Sequence, residues 1–274
     1  MTPRVPPVRF WVPGALCLLV LAPLPAAPAG VNPAVRVQFA SQLAHGTSVS
    51  VELSPTCEND LIVVGVMSTH PDPPPIDVTD NAPGGSNPYQ LAAHISGPNH
   101  LYVFYAEGAK AGVTQVTATG SYGALDLIVA EYAGVAASGA LDRVAARNNG
   151  YSPDHHWRTG WTPPTREALE LLVVVGGGTY YAPSFVHRAG PGYNFVTTHA
   201  ESGRNVSGLM MEDRVVATAG SFEGTGFTAM ASGGKDIRYA VIATFRIEPS
   251  PLTYQCNGSR RGVTLPLSAA TPSD

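Results

Sequence analysis

Lysine is nearly missing from this chain of 274 residues: Lys110 and Lys235 are the only two, and Asp, Glu, Lys and Arg together make up 13%. An average globular chain carries about 25% charged residues. The surface must therefore be covered largely by Ser, Thr, Asn and Gly, a composition common outside the cell. The formal net charge of −4 leaves no basic patch, which argues against a nucleic-acid partner. No His-Glu-x-x-His stretch is present, and no Gly-x-Ser-x-Gly elbow surrounds Ser121, Ser184 or Ser221, so the usual signatures of zinc and serine hydrolases are lacking. Cysteine is scarce, at three.

Residues 1–29 read as a secretory signal peptide. Arg4 and Arg9 form the basic region, residues 10–21 the apolar region, and Ala27-Pro28-Ala29 a small-x-small cleavage pattern. The apolar run is short for a membrane-spanning helix, so no span is expected after cleavage. Cys17 lies in the leader. Cys57 and Cys256 remain, and in an oxidising compartment they can pair or stand as two thiols.

What is plentiful is turn chemistry and short apolar runs. Gly (29) and Pro (25) suit many strands joined by tight turns. Two stretches organise the rest: residues 60–67 (DLIVVGVM) and 170–177 (ELLVVVGG). Each is a short apolar run behind one acidic residue, the pattern of a strand buried on both faces. Further strands are expected at 35–39, 47–53, 76–80, 89–95, 101–105, 113–119, 125–132, 193–198, 207–211, 215–219, 226–231 and 239–247. A turn is expected at Ala44-His45-Gly46. Residues 135–165 read as a long, mostly polar and irregular connection with room for one edge strand, and residues 250–274 as a mostly disordered tail.

The halves rhyme. Leu61–Gly65 answers Leu171–Gly176, residues 113–120 answer 226–233, and residues 127–132 answer 240–245, all at offsets near 110 residues. One duplication is too few for a solenoid. The expectation is a single all-β domain over 30–249: an antiparallel β-sandwich, jelly-roll-like, with weak internal duplication.

The succession of residues 60–64, then Val78-Thr79-Asp80 with Tyr89 after a Gly/Asn loop, then residues 103–106 and 129–134, resembles a recurrent β-sandwich module of secreted bacterial proteins that is itself functionally uncharacterised. The likeness covers roughly residues 35–248. It departs from the pattern in the Pro-rich insert at 70–75 and in a longer turn after Asp80. The resemblance implies a fold and an extracellular location, and carries no catalytic residues across.

Three groups are candidates for function. Tyr151, Trp157, Trp161, Tyr180 and Tyr181 lie in or beside glycine-containing loops. Exposed aromatic rings stack on sugar faces, and packing against the sandwich is the alternative. Asp77, Asp80, Asn81 and Asn87 gather around a Gly-rich turn, where oxygen ligands suit a structural Ca²⁺, although the spacing is not that of an EF-hand. An Asx-capped turn uses the same residues. Glycoside hydrolysis needs paired carboxylates; Glu131, Glu212 and Asp213 are candidates in name only, since adjacent residues on a strand diverge, so no catalytic residue is expected, and His155-His156 reads as solvated loop. The leading expectation is a secreted non-catalytic module that binds carbohydrate or a surface polymer. The alternatives are an adhesive, protein-binding domain and a polysaccharide hydrolase or lyase.

Overall fold

In the computed structural model, which describes residues 34–69, 75–151, 156–180, 185–200, 206–230, 236–248, 263–264 and 267–268, the first half of the chain forms six strands. These are β1 (Val35–Glu52), β2 (Asp60–Ser68), β3 (Asp77–Asp80), β4 (Gln90–Ile95), β5 (His100–Ala109) and β6 (Gln115–Ala133). The second half forms β7 (Leu141–Tyr151), β8 (His156–Trp161), β9 (Glu170–Tyr180), β10 (Phe185–Arg188), β11 (Asn194–Ala200), β12 (Val206–Val216), β13 (Glu223–Met230) and β14 (Asp236–Arg246). Two short strands, β15 (Val263–Thr264) and β16 (Leu267–Ser268), add to β1 and β12. There is no helix among the described residues.

The two organising stretches sit at the centres of two antiparallel sheets. β2 lies between β6 and β5 in the order β1-β6-β2-β5-β4, and β9 lies between β14 and β12 in the order β7-β14-β9-β12-β11. Element by element these orders are the same, displaced by one repeat. The irregularities repeat as well. A bulge at Val37, opposite Tyr132 and Glu131, matches one at Asp142, opposite Phe245 and Thr244. Another at Ala92 matches one at Val196. Bulges are specific kinks in a ladder, so their recurrence at equivalent positions establishes the duplication.

The two strands expected at 35–39 and 47–53 are one. β1 pairs with β6 along its whole length, with a register shift between Gly46 and Ser48 where the turn was expected. Gly46 has φ 146° and Gly123, its partner, 157°. These glycines bend the ribbon without ending it. In the second half the corresponding limbs are β7 with β8 and β13 with β14. Residues 135–165 are therefore not an irregular connection: most of them form β7 and β8.

The far limbs of β1 and β6, with β3 paired to β6, fold over the outer face of their own sheet. There Val49, Val51, Val78, Val116 and Ala118 pack on Ile62, Val64, Val66, Tyr102 and Phe104. In the second half a 3-stranded sheet, β10-β13-β8, does the same, closing Trp157 and Phe222 over Leu172, Val174, Met210 and Ile242. Each half is thus a small jelly roll. The halves join back to back through a third core, with Leu61, Val63 and Met67 of β2 against Leu171, Val173 and Val175 of β9. The polypeptide forms four layers. A buried ion pair ties the halves: Arg36 Nη1 lies 2.7 Å from Asp213 Oδ2, which also accepts a bond from Tyr132 Oη at 3.0 Å.

Candidate functional site

The largest chemical difference between the two jelly rolls lies on the solvent face of their smaller sheets. Directly opposed residues share a face. In the first half the outward rows are Thr79-Thr117-Ser50 and Asp77-Thr119-Ser48, followed by Gln115-Glu52. Their hydroxyls and amide bond one another, Ser50 to Thr117 at 2.8 Å and Gln115 to Glu52 at 2.7 Å. In the second half the corresponding rows are Arg188-Phe227-His156, Thr225-Arg158 and Glu223-Trp161. Hydroxyls have been replaced by rings and guanidinium groups.

Trp161 is 57% exposed and Val186 58%; His156, Arg158 and Arg188 are exposed too. The His156 ring lies 4.9 Å from that of Phe227. Arg158 Nη1 approaches Glu223 Oε2 at 3.3 Å. Strand rise places the Phe227 and Glu223 rows roughly 13 Å apart. The face is therefore a strip with an aromatic group at each end and charged hydrogen-bonding groups between them. Its alternate residues point inward. Trp157, Thr159 and Thr228 are wholly buried, and that alternation is what holds the outer residues in rows.

Of the five aromatic residues expected to meet a ligand, three have described side chains, and among these Trp161 alone lies on this strip. Trp157 is a correction: it is fully buried, inside the second jelly roll rather than on a loop. Glycines leave the room it fills. A Cβ on Gly176 would stand 2.8 Å from its ring, and one on Gly226, its cross-strand partner, would overlap it. Tyr151 is exposed, at 61%, but ends β7 in the neighbouring sheet. Tyr180 closes β9, with its side chain outside the described residues, as is the whole of Tyr181. The three described side chains do not share one face.

The Asp80 loop is an internally bonded turn. Asp80 Oδ1 accepts from the N–H of Ala82 at 3.0 Å and of Asn87 at 3.2 Å; Oδ2 accepts from Asn87 Nδ2 at 2.8 Å and Tyr89 Oη at 2.9 Å. Asn81 Oδ1 accepts from the N–H of Thr114 and of Gln115. Asn87 is buried and Asp77 points outward. Asp80 already accepts four bonds, about its full capacity.

The carboxylates are structural in their surroundings. Glu212 is fully buried. Burial raises its pKa to about 8, against the N–H of Gly190, which donates to Oε2 at 2.7 Å; the charge of Asp213 adds to the rise. Burial also raises Asp213, outweighing Arg36. Asp60 and Glu170, the acidic residues that open the two central strands, are both fully buried. Glu170 rises to about 8, from burial first and then the Asp142 carboxylate. Glu131 accepts from the Cys57 N–H at 2.8 Å and from Gln38 Nε2 at 2.6 Å. Cys57, Asp60 and Glu131 offer ligand atoms within 4.8 Å of one another. Cys256 lies outside the described residues.

Sequence reasoning missed His156, Phe227, Arg158 and Arg188. The alternation of small and large residues at Gly224, Gly226 and Phe227 was the available signal. No family model, curated protein or solved structure matches the chain.

Proposed function

We propose that this chain is a secreted, non-catalytic β-sandwich module that binds carbohydrate on the outer face of β8, β13 and β10. The observation that carries the reading is the divergence of two equivalent faces. One presents Ser, Thr and Asp with Gln115 and Glu52; the other presents Trp161, Phe227, His156, Arg158, Arg188 and Glu223 beside Thr225. The second face carries rings, whose apolar faces suit the C–H side of a sugar, and groups that hydrogen-bond hydroxyls. Being set on strands rather than loops, they are held in place before any ligand arrives, which lowers the cost of binding.

The test is a polysaccharide and glycan screen on the purified protein and on Trp161→Ala, with Ca²⁺ and again with EDTA. Binding that survives EDTA and is lost in Trp161→Ala supports the reading. Failure of the native protein to bind any glycan would favour a protein partner instead. We propose in addition that Cys57 pairs with Cys256, which would hold the C-terminal tail at the start of β2. A peptide map under non-reducing conditions checks this, and two alkylated thiols would refute it.

A further inference from the structure

The β4–β5 hairpin of the first half brings together a separate set of donors. His94 on β4 and His100 on β5 approach with His94 Nε2 3.3 Å from His100 Nδ1. Ser96 Oγ lies 3.4 Å from the same Nε2. The His94 ring is stacked on Tyr102, its direct cross-strand partner, at 4.1 Å and an interplanar angle of 4°. That contact sets the plane of the imidazole. His100 is 1% exposed, so the strand holds it, whereas His94 and Ser96 are open to solvent. One ligand is fixed in the wall and the other, on the solvent side, is steadied by a ring.

We propose that His94 and His100 form a binding site for a late first-row divalent cation, Zn²⁺ or Cu²⁺. Metal–imidazole bonds of about 2.0–2.1 Å at a tetrahedral angle set the two nitrogens about 3.3–3.4 Å apart, the separation found here. Imidazole nitrogens suit Zn²⁺ and Cu²⁺, whereas Ca²⁺ and Mg²⁺ take oxygen ligands. Ser96 Oγ and water would complete the coordination. The second half has no counterpart: His100 pairs with Ser68, but the equivalent position on β12 is Gly208, opposite Gly178. Like the aromatic strip, the pair belongs to one half only. The alternative is a pair of imidazoles that share a proton and bind nothing.

The experiment is calorimetric titration of tag-free, chelator-stripped protein with ZnCl₂ near neutral pH, repeated with CuCl₂ under electron paramagnetic resonance. His94→Gln is the main variant because its side chain is exposed, and His156→Gln is the control for a histidine elsewhere. The native protein and His156→Gln should take up one Zn²⁺ per chain. His94→Gln should bind about tenfold more weakly or worse with an unchanged melting temperature. The Cu²⁺ spectrum should show hyperfine coupling to two nitrogens, reduced to one in the variant. Uptake indifferent to His94→Gln, or no uptake by the native protein at millimolar Zn²⁺, would overturn the proposal.

Discussion

Gly65 of β2 lies directly against Val175 of β9: a Cβ added to Gly65 would stand 2.7 Å from Val175 Cγ1. The two residues occupy equivalent positions in the two halves, Gly65 opposite Val103 and Val175 opposite Met211. Two positions further along the order reverses, and Met67 Sδ lies 3.3 Å from a Cβ built on Gly177. The central strands interlock by exchanging a side chain for its absence. Gly65→Ala should therefore destabilise by about 1–3 kcal/mol through overpacking. Adding Val175→Ala should return part of the loss, which urea denaturation of the single and double variants would measure.

Trp157 makes the same argument inside the second half. Trp157→Ala should cost about 3–5 kcal/mol, and Gly226→Ala should also destabilise, because the indole has no other space. A thermal melt checks both. If Trp157→Ala kept its stability and lost ligand, the burial described here would be wrong.

The Arg36–Asp213 pair joins the halves with almost no solvent contact. Arg36→Met should cost about 3–5 kcal/mol by leaving a buried carboxylate uncompensated. Arg36→Met with Asp213→Leu should recover much of that. A double-mutant cycle separates the coupling from the cost of each truncation.

Three buried groups set a pH dependence of stability. Glu170 and Glu212 titrate near 8 in the folded chain, far above an unfolded glutamate. The folded state binds more protons between about 4.5 and 8, so their contribution is full at low pH and is lost as pH rises through that window. His187 has the opposite sign. Burial first and then Arg238 lower it to about 3, so stability is lost as pH falls from about 6.5 towards 3. Maximum stability should lie below neutral pH. Glu212→Gln should gain about 1–3 kcal/mol at pH 8 relative to the native chain and little at pH 4, as denaturation midpoints across pH would show.

The central strands were legible because burial on both faces writes an unbroken apolar run, and Asp60 and Glu170 marked their starts. The duplication was legible because it preserved those runs at a steady offset. The bent ribbon was less so: Gly46 looks like a turn unless its partner is known to continue past Gly123. β8 and the burial of Trp157 were hidden for a related reason. The residues that make room for Trp157 are Gly176 and Gly226, far away in sequence, and a tryptophan among Gly, Pro and Asn reads locally as loop. The outer strip was hidden too, since only the register of β8, β13 and β10 sets Trp161, Phe227 and Arg188 in rows.

The most direct test of the central claim is the affinity of the polysaccharide selected in the glycan screen for four proteins: native, Trp161→Ala, Arg188→Ala, and Thr117→Ala on the equivalent face of the first half. The account predicts that the two second-half variants weaken binding about tenfold or more while melting as the native protein does, and that Thr117→Ala binds as tightly as native. Equal affinity across all four, or a loss confined to Thr117→Ala, would contradict it.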